Sequence, residues 1–387
     1  MAKIGIYGGT FNPPHFGHVN LAKNAIKALE LDKLLIIPTA LPPHKSADES
    51  VEQSERLEMT RIAFEEVKDA VVSDIELRRG GISYTIDTLN EIKRLVGPED
   101  KLYLLMGSDM FNMIEKWRQF KDIFKLCTIA VFERENGDTK LSEYVLYIKE
   151  KYNADIVFIE APVIEMSSEN IRTMLRCGCN MGHVLPYKLA QYIADKNVYL
   201  PELEVMLSEV LSRKRFLHSV SVRDESIKLA RIYNVDIAKA ALAGLLHDIT
   251  KEKTYDEQLQ LCKEFGIILS TVEKNAPKLL HAKTGAYYIR EKLGIDDEDI
   301  FAAVYYHTTG RAGMSPLEEV IFLADFIEPL RDFDGVDSIR QYAYTDLNKA
   351  IVTACDISID EVRNNNMTVH ENTLSARAYY AGRNNML

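Results

Sequence analysis

The hydrophobic period of this chain changes once, near Leu200-Pro201-Glu202, and that change limits its fold more than any other feature. Before it, short apolar runs at residues 3–7, 33–38, 71–77, 102–106, 127–132 and 156–159 read as strands. Helical patterns at 18–31, 54–67, 85–96 and 186–195 fall among or after them. Strands separated by helical segments imply a parallel sheet covered by helices on both faces. After the change, β-branched alternation almost disappears. Helical periods run at 204–217, 222–233, 237–247, 257–265, 284–293, 297–306, 316–327 and 346–365, which describes an all-α domain. At 387 residues the chain exceeds the roughly 250–300 residues that one core sustains, so two domains are expected, 1–200 and 203–387.

Composition excludes several classes. Hydrophobic residues make up 47% of the chain, too many for a disordered protein. The formal charge is −11 and no Lys/Arg run is long, which argues against nucleic acid as a partner. An acidic chain that binds polyphosphate must do so with local donors or metal ions. Five scattered Cys without framework spacing point to reduced thiols and a cytoplasmic location. The N-terminus does not read as a signal peptide, because Gly8-Gly9 cuts its apolar stretch. No apolar run reaches about 18 residues, so no membrane span is expected.

The first strand runs into Gly8-Gly9-Thr10-Phe11-Asn12-Pro13-Pro14-His15-Phe16-Gly17-His18. Glycines permit close backbone approach to a ligand. A helix start offers free N–H groups and the positive end of a dipole to an anion. His15 and His18, three apart across that start, form a phosphate clamp without a lysine. The pattern is neither a dinucleotide fingerprint nor a P-loop, which disfavours hydride transfer and P-loop kinase chemistry. Trp117, the only tryptophan, offers a flat ring for stacking.

This segment resembles the signature of nucleotidyltransferases, and within them of nicotinate mononucleotide adenylyltransferases. Further segments carry the resemblance in order: Leu41-Pro42-Pro43-His44-Lys45, Ser54-Glu55-Arg56, Gly81-Ile82-Ser83-Tyr84-Thr85, Gly107-Ser108-Asp109, Trp117-Arg118 and Ser167-Ser168-Glu169-Asn170-Ile171-Arg172. The resemblance implies a Rossmann-like α/β domain that moves an adenylyl group from ATP, with its Mg²⁺, to nicotinate mononucleotide. It implies an ATP site of Gly8, Gly9, Thr10, Phe11, His15, His18, Gly107, Asp109, Ser167 and Arg172. His15, His18 and Arg172 would act on the phosphates. Lys45, Tyr84, Thr85 and Trp117 would hold the mononucleotide.

In the second half the informative residues are His218, His247, Asp248, His281, His307 and Asp325, most of them beside apolar helical segments. Burying so many polar groups singly costs a few kcal/mol each, about 2–7 by transfer measurements, and a shared metal centre removes that cost. Imidazole and carboxylate ligands suit Fe, Mn, Co or Zn. The pattern resembles the HD-domain phosphohydrolases. The segments Asp248-Ile249-Thr250-Lys251, His307-Thr308-Thr309-Gly310-Arg311 and Asp325-Phe326-Ile327-Glu328-Pro329 resemble the bacterial symmetrical diadenosine tetraphosphate hydrolases more closely. That resemblance implies two divalent transition metals, iron first with Mn or Co as alternatives. Asp248 would bridge them, His218, His247 and Asp325 would serve one ion, and His281 and His307 the other. Asp248 and Lys251 would be catalytic. Lys251 and Arg311 would neutralise phosphates of diadenosine tetraphosphate, with Arg331 a lesser candidate. Two alternatives stay open: the HD half hydrolyses another nucleotide phosphate ester, or it senses a nucleotide and regulates the transferase half.

Overall fold

A computed structural model of the chain describes residues 1–42, 51–133, 139–160 and 167–384. It divides into two compact units, Met1–Arg172 with Asn180–Tyr199, and Thr173–Cys179 with Leu200–Leu387. Among the described residues no helix is long and apolar enough to cross a membrane.

The first unit is built on a six-stranded parallel sheet of order β3-β2-β1-β4-β5-β6. The strands are β1 (Lys3–Gly9), β2 (Lys33–Pro38), β3 (Ala70–Val72), β4 (Lys101–Gly107), β5 (Thr128–Glu133) and β6 (Ile156–Glu160). β1 and β4 read as apolar runs because both sheet faces are covered. Ile4 and Ile6 sit in register with Leu102 and Leu104, and all four are buried. The chain runs outward from β1 in one direction and from β4 in the other. Their carboxyl ends, Gly8-Gly9 and Gly107, therefore flank the switch point where open α/β sheets bind ligands.

β3 is shorter than its apolar run suggested. It pairs with β2 only from Leu34↔Ala70 to Ile36↔Val72, and residues Ile75–Arg79 form a helix in place of the expected strand end. Among the described residues β3 is an edge strand, and its neighbour β2 ends at Pro38, which has no N–H to continue the ladder.

The second unit is helical throughout its described residues, around a core that includes Leu229, Leu245, Val304, Phe322 and Ile351. The residues expected as two helices, 204–217 and 222–233, divide elsewhere. Glu202–Val210 is one helix and Arg213–Ile232 runs unbroken through His218. The break falls at Ser212. Its hydroxyl accepts from the Arg215 N–H and donates to Glu252, which also accepts from the Ser212 N–H. Residues 218–221, expected to separate two helices, lie inside the helix Arg213–Ile232. Ser219 and Ser226 are fully buried, and small residues are needed where Arg213–Ile232 meets the helix Ile237–Leu246. A Cβ at Gly244 would lie 2.7 Å from Ser226 Oγ and 3.0 Å from Arg223 Cα.

Candidate active sites

In the first unit a cavity of about 960 Å³ opens at the ends of β1 and β4. Gly8, Gly9, Thr10, His15 and His18 line one part of it; Gly107 and Asp109 follow from β4, and Tyr84, Thr85 and Trp117 complete the remainder. Thr85 opens the helix Thr85–Leu95, whose start carries no side-chain cap. Arg118 lies 4.6 Å over the Tyr84 ring and 3.8 Å from Asp87.

His15 is the N-cap of the helix Phe16–Leu29. Its Nδ1 accepts from the Gly17 N–H at 3.1 Å, and His18 Nδ1 accepts from the His15 N–H at 3.2 Å. A neutral imidazole that accepts at Nδ1 carries its proton on Nε2. Both rings, 3.9 Å apart between centroids, are thus set as Nε2–H donors. Burial lowers the His15 pKa to about 4, and burial with repulsion from His15 takes His18 well below its usual value. Two neutral donors at a helix start suit an anion that supplies its own charge.

Other expected residues occupy different positions. Phe11 is 1% exposed and packs edge-on against His18 with centroids 5.2 Å apart. It supports the clamp from behind and does not line the cavity. Ser167 precedes the helix Ser168–Arg176, where its Oγ accepts from the Asn170 N–H. Ser168 and Arg172 tie that helix to the loop after β1, by bonds to Pro13 O at 2.9 Å and Asn12 O at 2.7 Å. Ser167 and Arg172 therefore belong beside the loop and not in the cavity wall. Glu169 is exposed. Lys45 lies outside the described residues. Arg56 belongs to a segment that carries the resemblance. It is buried and donates to Thr10 O, Thr39 O and Ala40 O, which joins the clamp loop to the end of β2.

In the second unit the six residues singled out converge. His218 Nε2 lies 3.1 Å from Asp325 Oδ1 and 3.7 Å from Asp248 Oδ2. His247 Nε2 lies 3.4 Å from Asp248 Oδ2. On the other oxygen, Asp248 Oδ1 is 3.0 Å from His281 Nε2 and 3.7 Å from His307 Nε2. Three overlapping triads, each with ligand atoms within 4.8 Å of one another, result: His218-His247-Asp248, His247-His307-Asp325 and Asp248-His281-His307.

Every Nδ1 in this cluster faces an acceptor. Those of His247, His281 and His307 meet Gly244 O, Lys278 O and Val304 O at 2.7–2.8 Å, and that of His218 meets Glu328 Oε1 at 3.0 Å. Nδ1–H donation leaves the Nε2 lone pair for the cluster, which is how metal-binding imidazoles are oriented. His218 Nε2, His247 Nε2 and Asp248 Oδ1 are buried without a hydrogen bond. Orphaned acceptors facing one another are costly unless cations join them. The residues thus fit divalent metal ions, and the two oxygens of Asp248 face different histidines as a bridging carboxylate requires.

Burial raises the Asp248 carboxyl, but His247 and His281 outweigh it and hold it well below the carboxylate range. Burial likewise opposes ionisation of Asp325, and Arg331 and His218 overcome it. Burial lowers His281 to about 4. Lys251 Nζ lies 3.1 Å from His281 Nε2, and burial lowers its pKa. Arg311 is not brought to the cluster. Its guanidinium makes a bidentate pair with buried Glu318, at 2.6 and 2.7 Å. Arg215 and Glu328 escaped sequence reasoning. Arg215 Nη1 is 2.7 Å from Asp248 Oδ2, and Arg331 pairs with Asp325. The signal for Arg215 was its place one turn before His218 on a single helix, which the expected break there obscured.

A cytidylyltransferase-like family model matches residues 6–174, and an HD-domain model matches residues 215–330. The chain is similar to a probable nicotinate-nucleotide adenylyltransferase/Ap4A hydrolase of Mycoplasma genitalium. Identity is 28% over 355 residues, which is 90% of this chain and 95% of the relative. It is 41% identical over 165 residues to a symmetrical bis(5'-nucleosyl)-tetraphosphatase of Halalkalibacterium halodurans, covering 43% of this chain and 88% of that one. It is 36% identical over 199 residues to a probable nicotinate-nucleotide adenylyltransferase of Carboxydothermus hydrogenoformans, covering 51% of this chain and 98% of that one. The chain belongs to the nicotinate-nucleotide adenylyltransferase family and, through its HD domain, to the symmetrical bis(5'-nucleosyl)-tetraphosphatase family.

Proposed function

We propose that the chain is a bifunctional enzyme whose units act on adenine nucleotides by different chemistry. The first transfers the adenylyl group of ATP to nicotinate mononucleotide. A 5'-phosphate oxygen of the mononucleotide attacks the α-phosphorus of ATP, the α–β bridging bond breaks, and pyrophosphate leaves with deamido-NAD as the other product. The His15 and His18 Nε2–H groups donate to phosphate oxygens as charge builds on them, with no covalent intermediate. Arg172, beside the loop after β1, meets the outer phosphates, Ser167 contributes to the same end of ATP, and Lys45 helps to hold the mononucleotide. Gly8, Gly9, Thr10 and Gly107 let the nucleotide approach the strand ends, and Asp109 takes a sugar hydroxyl. Trp117 and Tyr84 flank the pyridine, whose carboxylate meets the helix start at Thr85. Mg²⁺ enters with ATP.

The second unit hydrolyses diadenosine tetraphosphate to two ADP, adding one water across a P–O bond. His218, His247, Asp248, His281, His307 and Asp325 would hold two divalent ions, Fe²⁺ first and Mn²⁺ or Co²⁺ as replacements. Such ions lower the pKa of water and offset phosphate charge. Lys251, with Arg215 and Arg331, supplies positive charge at the rim of the cluster. We place the chain in the cytosol, a reading supported by its five free cysteines.

The observation that carries this reading is the opposite setting of the histidines in the two units, donors in one and acceptors in the other. The test uses the full chain. Nicotinate mononucleotide with ATP and Mg²⁺ should release pyrophosphate. Diadenosine tetraphosphate with Fe²⁺ or Mn²⁺ should give ADP alone. Formation of AMP and ATP would end the symmetrical reading, and metal binding without turnover would favour a nucleotide sensor.

A further inference from the structure

Four imidazoles face the cluster in the second unit, and one is held differently. His247, His281 and His307 donate from Nδ1 to backbone carbonyls, whereas His218 meets a carboxylate, Glu328 Oε1, at 3.0 Å. Glu328 is 1% exposed and fixed in place. Its Oε2 accepts from the Leu330 N–H at 2.6 Å, and its carbonyl accepts from Arg340 Nη2 at 3.0 Å. It ends the helix Pro316–Ile327, one turn beyond Asp325. One helix end thus supplies a candidate ligand directly and a second through His218.

We propose that Glu328 is a positioning residue that makes the two ion positions unequal, so that the ion at His218-His247-Asp248 is held more tightly than the ion at Asp248-His281-His307. This rests on the metal reading above. A carboxylate behind an imidazole strengthens the N–H bond, pushes electron density towards Nε2 and adds a full negative charge near the cation. A carbonyl supplies only a dipole. The cationic side chains do not provide a comparable fixed difference. Arg215 and Arg331 reach the His218 side and Lys251 the His281 side, all from side chains 27–34% exposed, where water screens their charge. Glu328 is buried and is screened far less.

The experiment is Mn²⁺ titration of chelator-stripped full-length protein, by equilibrium dialysis and electron paramagnetic resonance. The wild type should bind two ions of unequal affinity. Glu328→Gln keeps size and an acceptor but removes the charge; it should weaken the tighter ion by about 10- to 100-fold and leave the weaker one unchanged. His281→Ala should keep the tighter ion and lose the other. In a His218→Ala background, Glu328→Gln should have no further effect, because it acts through that ring. Melting of each metal-free variant checks folding. Titration of Glu328→Gln like the wild type, loss of the weaker ion alone, or a further loss in the His218→Ala background would overturn the inference. A wild type that binds no ion would instead remove the metal reading.

Discussion

The same side chain is set in opposite ways in the two units, and the ends of helices account for most of the difference. His15 and His18 stand at a helix start, where N–H groups are in excess, so their Nδ1 atoms accept and their Nε2 atoms donate. His247 and His307 follow the last turns of their helices, where carbonyls are in excess, so their Nδ1 atoms donate and Nε2 accepts. His281 is the exception: it lies in the first turn of the helix Leu280–Glu291, yet its Nδ1 meets the carbonyl of Lys278 inside the 3₁₀ turn Pro277–Leu279. A helix start thus sets His15 and His18 as donors and helix ends set His247 and His307 as acceptors, while His281 reaches the second setting through a local carbonyl. The tautomer is set by backbone polarity before any ligand arrives.

The comparison breaks most visibly by removing one ring from each unit. His247→Ala should take diadenosine tetraphosphate hydrolysis to background and release metal, which metal analysis of the purified variant reads. Its adenylyl transfer should be unchanged. His18→Ala should cost about 10²- to 10³-fold in kcat for pyrophosphate release, the usual loss for one transition-state donor, and leave hydrolysis intact. Loss of both activities from either change would show that the sites are not independent.

A smaller effect concerns acid. His15 keeps a folded pKa of about 4, below its ordinary 6.5, because burial disfavours its charge. Between these values the unfolded chain binds more protons than the fold, so stability rises with pH across the window and falls as pH drops from about 6.5 to 4. The His15 contribution is on the order of 3 kcal/mol. His15→Asn, which keeps an N-cap acceptor, should flatten that part of the melting-temperature profile of the first unit. An unchanged slope would mean His15 is not the residue that resists charging. Least in energy but most direct is ring ¹⁵N NMR of metal-free protein. Protons should reside on Nε2 in His15 and His18, and on Nδ1 in His247, His281 and His307. Any one on the other nitrogen removes the contrast.

Sequence made the sheet legible where strands are buried on both faces, since β1, β2 and β4 read as unbroken apolar runs. It misled at β3, where the limit is set by Pro38 of a neighbouring strand. The helices Thr139–Tyr152 and Glu371–Asn384 gave patterns too mixed to single out, and Val336–Ala343, only eight residues long, is shorter than the window over which a helical period shows. All six residues of the candidate metal cluster were named, because His and Asp in apolar helical contexts are conspicuous one at a time. Their partners were not. Glu328 pairs with His218 across 110 positions, and Arg215 with Asp248 across 33, distances over which no local period carries information.

Gly244 is the smallest residue that bears on the second chemistry. Its carbonyl anchors His247, and its missing side chain lets the helix carrying His218 lie against it. A single methyl there would act as a shim, spreading the two imidazoles while leaving each one present. Hydrolysis is thus hostage to the gauge between two rods, set by a position that never meets a nucleotide.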